Sequence, residues 1–460
     1  MFTVLNGAAD RYYQSAAPKI SDWGKVVNCR PSLYFRPTSI AALRQFLTDQ
    51  LQSGAAVTNL RILGGLHSCS EIFSGDIVVD PSALPKTLDW DAGNTSVTAA
   101  ANIHLHEFLL ALSLRGKSLS ATGGTDAQML AGLISTNTAG ATIHHSIYEL
   151  LDWVEFLSVA ADGKSMQLRK IANGSPDFNA AVCSLGLMGF ITRVHFRTID
   201  TPYYKVTQSI VAIDTVVKDP LHTSALYDFW RIEWIPDTDH GLLWTANGIP
   251  AKDAKPDGDY PADGTETILK YLGFISDRLE HAGPFLNESL KLAYFAMREA
   301  YKASTLTGPL RNMIPVDRTA PVRVAQAEWC FCPADLGAAM TVCRNYFSAS
   351  KWPNTPIEIE LTRTDSYLMS AWNWPGLPAI AKFNFQYLTD YMTPADLAAA
   401  MNHLQGLWAA FEAAGLTFKA HWGKINFLDA QFVGQHYELR AFKPYIQPLF
   451  LNDSLRARLL

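Results

Sequence analysis

Six cysteines, at 29, 69, 183, 330, 332 and 343, are all that this chain of 460 residues carries. None falls at zinc-ligand spacing, and so low a density in a long chain fits reduced thiols in a cytoplasmic protein rather than a disulfide framework. No lysine- or arginine-rich run occurs and the net charge is −5, so the basic footprint that nucleic acid requires is missing. No uninterrupted apolar stretch reaches the ~18 residues needed to span a membrane. The first residues, MFTVLNGAADRYYQS, lack a basic segment followed by an apolar one, which takes away support for secretion. A Walker A loop and the G-x-G-x-x-G fingerprint are both absent, leaving a Rossmann fold without an anchor. No Ser/His/Asp order favours a hydrolase. Small molecules are the partners expected.

What the chain does have is 48% hydrophobic residues, enough for a sizeable core, and three glycine-rich stretches. The first, RILGGLHSCS at 61–70, reads as a strand end running into a turn through Gly64, Gly65, Leu66, His67 and Ser68. Positive φ at the two glycines would let the following amides gather on one point, a geometry suited to a pyrophosphate. The second, at 120–140, combines Thr122, Gly123, Gly124, Thr125, Gly132, Ser135, Thr136 and Gly140, small residues that let a backbone approach a large flat ligand. The third, Gly186 to Ile191 with Gly189 inside it, precedes a strand rich in β-branched and aromatic residues. Cys330 and Cys332 alternate as on a strand, with both thiols on one side.

Periodicity predicts a helix over 37–53, capped by Ser39, with Ala41, Leu43, Phe46, Leu47 and Leu51 on one face. Strands are expected near 60–63, 76–80 and 96–101, a helix near 104–115, and a linker at IDTPYYKV near residue 200. Beyond it lie a strand-like stretch at 229–248, helices near 265–282 and 286–303, strands near 324–332, 356–364 and 380–387, and helices near 334–348 and 394–413.

Taken in order, the glycine stretches resemble the FAD-binding module of the vanillyl-alcohol oxidase and p-cresol methylhydroxylase (PCMH-type) superfamily. The tetrapeptide HWGK at 421–424 is similar to one carried by its sugar-lactone and alditol oxidase branch. This resemblance implies an α+β, two-domain fold: an FAD domain at about 1–200 with a returning segment at 426–460, and a cap built on an antiparallel sheet at about 201–425. It implies that the first loop holds the diphosphate, that Thr122, Gly123, Gly124, Thr125, Gly132, Thr136, Gly140, Gly189 and Ile191 border the cofactor, and that FAD is tethered covalently to His67. The plainer alternative is a His67 that only hydrogen-bonds the diphosphate or packs in the turn.

Period-two alternation places Glu358, Glu360 and Thr362 on one strand face, two carboxylates that repel unless water, a proton or a cation intervenes. In the resembling enzymes a glutamate and an arginine stand at this spacing, so Glu358 takes the glutamate position and Glu360 the arginine position. Either Glu360 is protonated or turned away, or it receives a cationic substrate group, and Lys424 supplies the missing positive charge. Asn384 and Gln386 share a face on the next strand and suit a polyhydroxylated ligand; His421 is expected either to shape the same pocket or to be a satisfied core histidine. The activity implied is hydride transfer from a polar alcohol, sugar or lactone-like substrate to flavin N5, with Glu358, Glu360 and Lys424 handling charge and protons. Oxygen is the expected acceptor, yielding hydrogen peroxide, since Gly123 leaves room beside the cofactor. The alternative is a flavin-dependent tailoring oxidase acting on an amine-bearing or other non-lactone compound.

Overall fold

The computed structural model describes residues 2–4, 11–13, 17–53, 59–236, 238–254, 305–314, 323–349, 356–390 and 392–460. The helices expected near 265–282 and 286–303 lie outside these described residues. Three sheets organise the remainder into an α+β fold. In the first, Leu33–Arg36, Ile77–Val79 and Leu60–Ile62 run parallel, with Arg11–Tyr13 and Phe2–Val4 added antiparallel at one edge. Ser39 caps the Ile40–Gln52 helix by accepting from the amide of Ala42 at 3.0 Å, and the helix buries Leu43, Phe46 and Leu47. Ala41 is exposed, because its position faces away from that stripe.

The second sheet is antiparallel, in the order Met166–Ala172, Leu151–Val159, Phe190–Arg197, Ser96–Ala100, Leu88–Trp90. The stretch expected to be a linker near residue 200 is mostly paired backbone: Ile199–Asp200 pairs with Lys117–Ser118, and Tyr203–Ala212 is a long strand. Only Thr201 and Pro202 stand between them, so the crossing into the third sheet is tight.

That third sheet has eight antiparallel strands, in the order Thr305–Pro309, Tyr203–Ala212, His240–Ile249, Phe229–Trp234, Ile357–Arg363, Ala379–Leu388, Val324–Phe331, Phe418–Ala420. Strand alternation gives its central strands two different faces. Ile232, Ile359, Phe383, Phe385 and Trp329 are buried on one face, with Trp408 and Phe411 of the Pro394–Ala413 helix packed edge-on to the Trp329 indole at 5.2 and 5.9 Å. Arg231, Glu233, Glu358, Glu360, Lys382, Asn384, Gln386, Gln326 and Glu328 share the other. The Val324–Phe331 strand stops one residue short of Cys332, which leads into a 3-10 turn, so Cys330 and Cys332 do not share a strand face. All six cysteines are free. Among the described residues no helix is long and apolar enough to cross a membrane.

Candidate active site

The Leu60–Ile62 strand delivers the chain into the first glycine turn, and the Leu63 amide still bonds Val79 at 2.9 Å before the backbone leaves the sheet. Positive φ falls on Leu66 (57°) and not on Gly64 or Gly65, correcting the expected conformation. The two glycines are needed for close approach: a Cβ on Gly65 would lie 2.7 Å from the Ala127 carbonyl oxygen, and one on Gly64 would press on the Cα of Gly132 at 3.4 Å. Among the described residues, the main-chain amides of Gly64, Gly65, Leu66, His67 and Ser68 donate no hydrogen bond. Five consecutive donors without acceptors call for an external anion or water.

Residues 64–68 line an open cleft together with Gly132, Ser135 and Thr136, the third glycine turn including Gly189 and Ile191, and His421, Gly423 and Lys424. The HWGK turn is locked onto the first glycine turn, since Cys69 donates its amide to Gly423 at 2.9 Å and the Ser70 hydroxyl donates to the Trp422 carbonyl at 2.7 Å. In the third turn Gly189 has φ 122°, and a Cβ there would meet the Leu157 carbonyl at 2.4 Å. Beneath the cleft, buried Arg61 donates to the carbonyls of Ile72 (2.6 Å), Leu185 (2.5 Å) and Phe450 (2.5 Å), tying the first turn, the third turn and the Pro448–Phe450 turn together. Burial lowers its guanidinium to about 10.

His67 stacks on Trp23 at 5.1 Å. Burial, helped by Lys424 and His104, pushes its imidazole down to about 4, so the ring is neutral at physiological pH. His421 is pushed to about 3 by burial, Lys424 and Lys382. Its Nδ1 accepts the Gly423 amide at 3.2 Å and the Thr136 carbonyl engages the ring as well, so it clamps the HWGK turn to the Leu130–Thr136 helix. The ring therefore has little capacity left for a substrate. Lys424 donates from Nζ to the Gln326 side-chain oxygen.

Thr122, Gly123, Gly124, Thr125 and Gly140 do not line this cleft. The Thr122 hydroxyl is buried without a partner, and a Cβ on Gly140 would meet the Thr122 carbonyl at 2.5 Å. The space expected beside Gly123 is filled: a Cβ there would lie 2.5 Å from the Thr138 methyl carbon. Glu358, Glu360, Asn384 and Gln386 also lie off the cleft, on the polar face of the third sheet. Both Glu358 oxygens are engaged, by Arg231 at 3.1 Å and by the Asn384 amide at 2.9 Å. Burial pushes the Glu358 carboxyl up to about 7 against the pull of Arg231. Glu360 pairs with Lys382 at 2.6 Å, and Lys382 reaches the Ala139 carbonyl of the second glycine stretch at 3.4 Å. Glu360 is thus neither turned away nor waiting for a cation. Arg231, Lys382 and Gln326 were not expected from the sequence, although each is a polar residue in a strand-alternating stretch.

Residues 31–169 match the family model of the FAD binding domain. Across 98% of both chains the fold superimposes on a solvent-stable cholesterol oxidase with TM-score 0.76 at 17% identity. Residues 31–169 thus carry an FAD binding domain, and the fold is that of these oxidases. A cholesterol oxidase from B. sterolicum superimposes on this flavoprotein fold with TM-score 0.74 at 12% identity, over 96% of each chain. In sequence it is similar to the D-arabinono-1,4-lactone oxidase of Yarrowia lipolytica, 26% identical over 230 residues, 49% of this chain and 43% of that protein. It is likewise similar to the L-gulonolactone oxidase of Mus musculus, 25% identical over 230 residues, 48% of this chain and 50% of that one. The matched segment spans about half the length of these curated relatives or less.

Proposed function

We propose that the protein is an FAD-dependent oxidase of a neutral, polar alcohol, sugar or lactone-like substrate. One observation carries this reading: the run of amides from Gly64 to Ser68 that donate to nothing within the described chain, set in a cleft floored by the facing glycines 64 and 132. Such a run fits a diphosphate. When bound, FAD accepts a hydride equivalent from a substrate C–H and passes its electrons to oxygen, which leaves as hydrogen peroxide. The protein's share is placement and proton handling. Glu358, near 7 and gripped by Arg231 and Asn384, is poised to take the hydroxyl proton of the substrate. Asn384 and Gln386 provide amides, and Lys424 a charge at the cleft wall. The charges on this sheet face argue for the polar substrates named in the lactone oxidase relatives over the sterol named in the structural neighbours. The FAD domain comprises about 1–200 and 426–460, and the cap about 201–425.

The neutral His67 ring, stacked on Trp23 at the cleft wall, is the attachment point for the cofactor. Oxygen uptake with D-arabinono-1,4-lactone, L-gulono-lactone, alditols and cholesterol tests the activity; a colourless protein that consumes no oxygen with any of them sinks it. For the tether, acid-precipitated protein is expected to stay yellow and the His67→Ala variant to release its flavin into the supernatant. Flavin fully extracted from the freshly purified native chain would show that the bond is absent.

A further inference from the structure

The segment carrying HWGK runs along the Val324–Phe331 strand: His421 donates its amide to the Glu328 carbonyl at 2.9 Å, and Ile425 donates to that of Gln326 at 2.8 Å. Lys424, which lines the cleft, is thereby held beside Gln326. From its ammonium a file of hydrogen bonds crosses three neighbouring strands. Lys424 donates to Gln326 Oε1, Gln326 Nε2 donates to Asn384 Oδ1 at 3.4 Å, and Asn384 Nδ2 donates to Glu358 Oε1 at 2.9 Å, while Arg231 donates to Glu358 Oε2 at 3.1 Å. An ammonium only donates, and a carboxamide has one accepting and one donating end. The first bond therefore dictates the others: Gln326 turns its oxygen to Lys424 and its nitrogen to Asn384, and Asn384 turns its nitrogen to Glu358. Asn384 is 2% exposed, so bulk water does not satisfy its amide turned the other way.

We propose that Gln326 is a positioning residue for the reaction: it relays the donor-only polarity of Lys424 through Asn384, so that Glu358 meets N–H groups on both oxygens and works as a base. This rests on the assignment of Glu358 as the group that takes the substrate proton. Donors on both oxygens favour the ionised carboxylate. Arg231 and Lys382 act in the same direction, against burial and the charges of Glu360 on the same strand and Glu233 on Phe229–Trp234. Glu328, the cross-strand partner of Asn384, adds a further carboxylate to that face. A reversed Asn384 would present its oxygen to Glu358 and favour the protonated acid instead.

Infrared pH titration of the holoprotein tests this without substrate, through the carboxyl C=O band that is lost in Glu358→Gln. Gln326→Leu removes both bonds and no charge, and should move the midpoint of that band up from about 7 by about one pH unit, a tenfold change in the ratio of acid to carboxylate. Lys424→Met should move it the same way in the native background, and less than half as far where Gln326 is already leucine, because the relay is then open. If the leucine variant does not fold, Gln326→Glu, nearly equal in volume, accepts from Lys424 but has no N–H for Asn384 and carries the same expectation. A native midpoint in the folded leucine or glutamate variant overturns this inference alone. A band that titrates as expected while flavin reduction, by the lactone or alditol that sustains oxygen uptake, does not follow it overturns the assignment of Glu358 as the base, and the catalytic task of Gln326 with it.

Discussion

Two side chains, partly buried Glu358 on the third sheet and buried His421 at the cleft, are held away from their ordinary protonation behaviour by desolvation, with opposite consequences. Glu358 is raised from 4.5 to about 7, and its ionised form is the one that accepts a proton. The rate of anaerobic flavin reduction should therefore climb with pH through about 7, and Glu358→Gln should abolish the inflection and slow reduction by about 10²-fold or more. A stopped-flow pH series measures both, and an unchanged inflection in the glutamine variant would assign the titration elsewhere. His421 is depressed from 6.5 to about 3, so between these values the unfolded chain binds the proton and the native fold does not. Its stabilising effect is present above 6.5 and is lost as pH falls toward 3, about 3 kcal/mol of it by pH 4. Melting curves between pH 7 and pH 4 should accordingly be less pH-sensitive for His421→Asn than for the native protein. At this scale the sequence was informative about residue types and poor about partners. Alternation put Glu358 and Glu360 on one face, yet nothing in one strand reveals that Arg231 and Lys382 stand opposite them, because register is set by the whole sheet.

Local elements were more legible, since periodicity and capping act over a few residues. The Ser39 cap, the Leu105–Ser113 helix and the strands at Ser96–Ala100, Ile357–Arg363 and Ala379–Leu388 fall where the pattern places them. The glycine turns were legible as turns but not in mechanism: Leu66 takes the left-handed conformation, while Gly64 and Gly65 answer to contact with Gly132 and Ala127. Backbone approach between segments this far apart leaves no local signature. The distinction has a measurable outcome. Gly65→Ala forces a Cβ to 2.7 Å from a carbonyl oxygen and should cut the FAD retained through gel filtration at least tenfold, by order of magnitude. Gly124→Ala, whose Cβ would meet nothing within 4 Å, should retain it. Equal retention by the two variants would mean that the first turn adjusts freely.

On the scale of the molecule, the segment after Gln447 braces the strand that leads into the cleft. Asn452 donates to the carbonyls of Glu71 and Ser74 at 2.9 Å each, Asn59 bonds Leu451, and Arg61 reaches Phe450. Among the described residues no carboxylate pairs with Arg61, so Arg61→Met leaves three buried carbonyls without their donor and should cost on the order of 3 kcal/mol in urea unfolding. Arg61→Lys, lacking the fork, should recover less than half of that. An unfolding midpoint unchanged in the methionine variant would show that water replaces the guanidinium. The attachment of this segment to the strand before the glycine turn was not foreseeable from the sequence. Arg61 and Phe450 are 389 positions apart in the chain. During synthesis on the ribosome, the amide run at Gly64 to Ser68 exists long before the segment that braces it. Capture of the cofactor must then follow translation of residue 450, and a nascent chain arrested before that point should emerge without flavin.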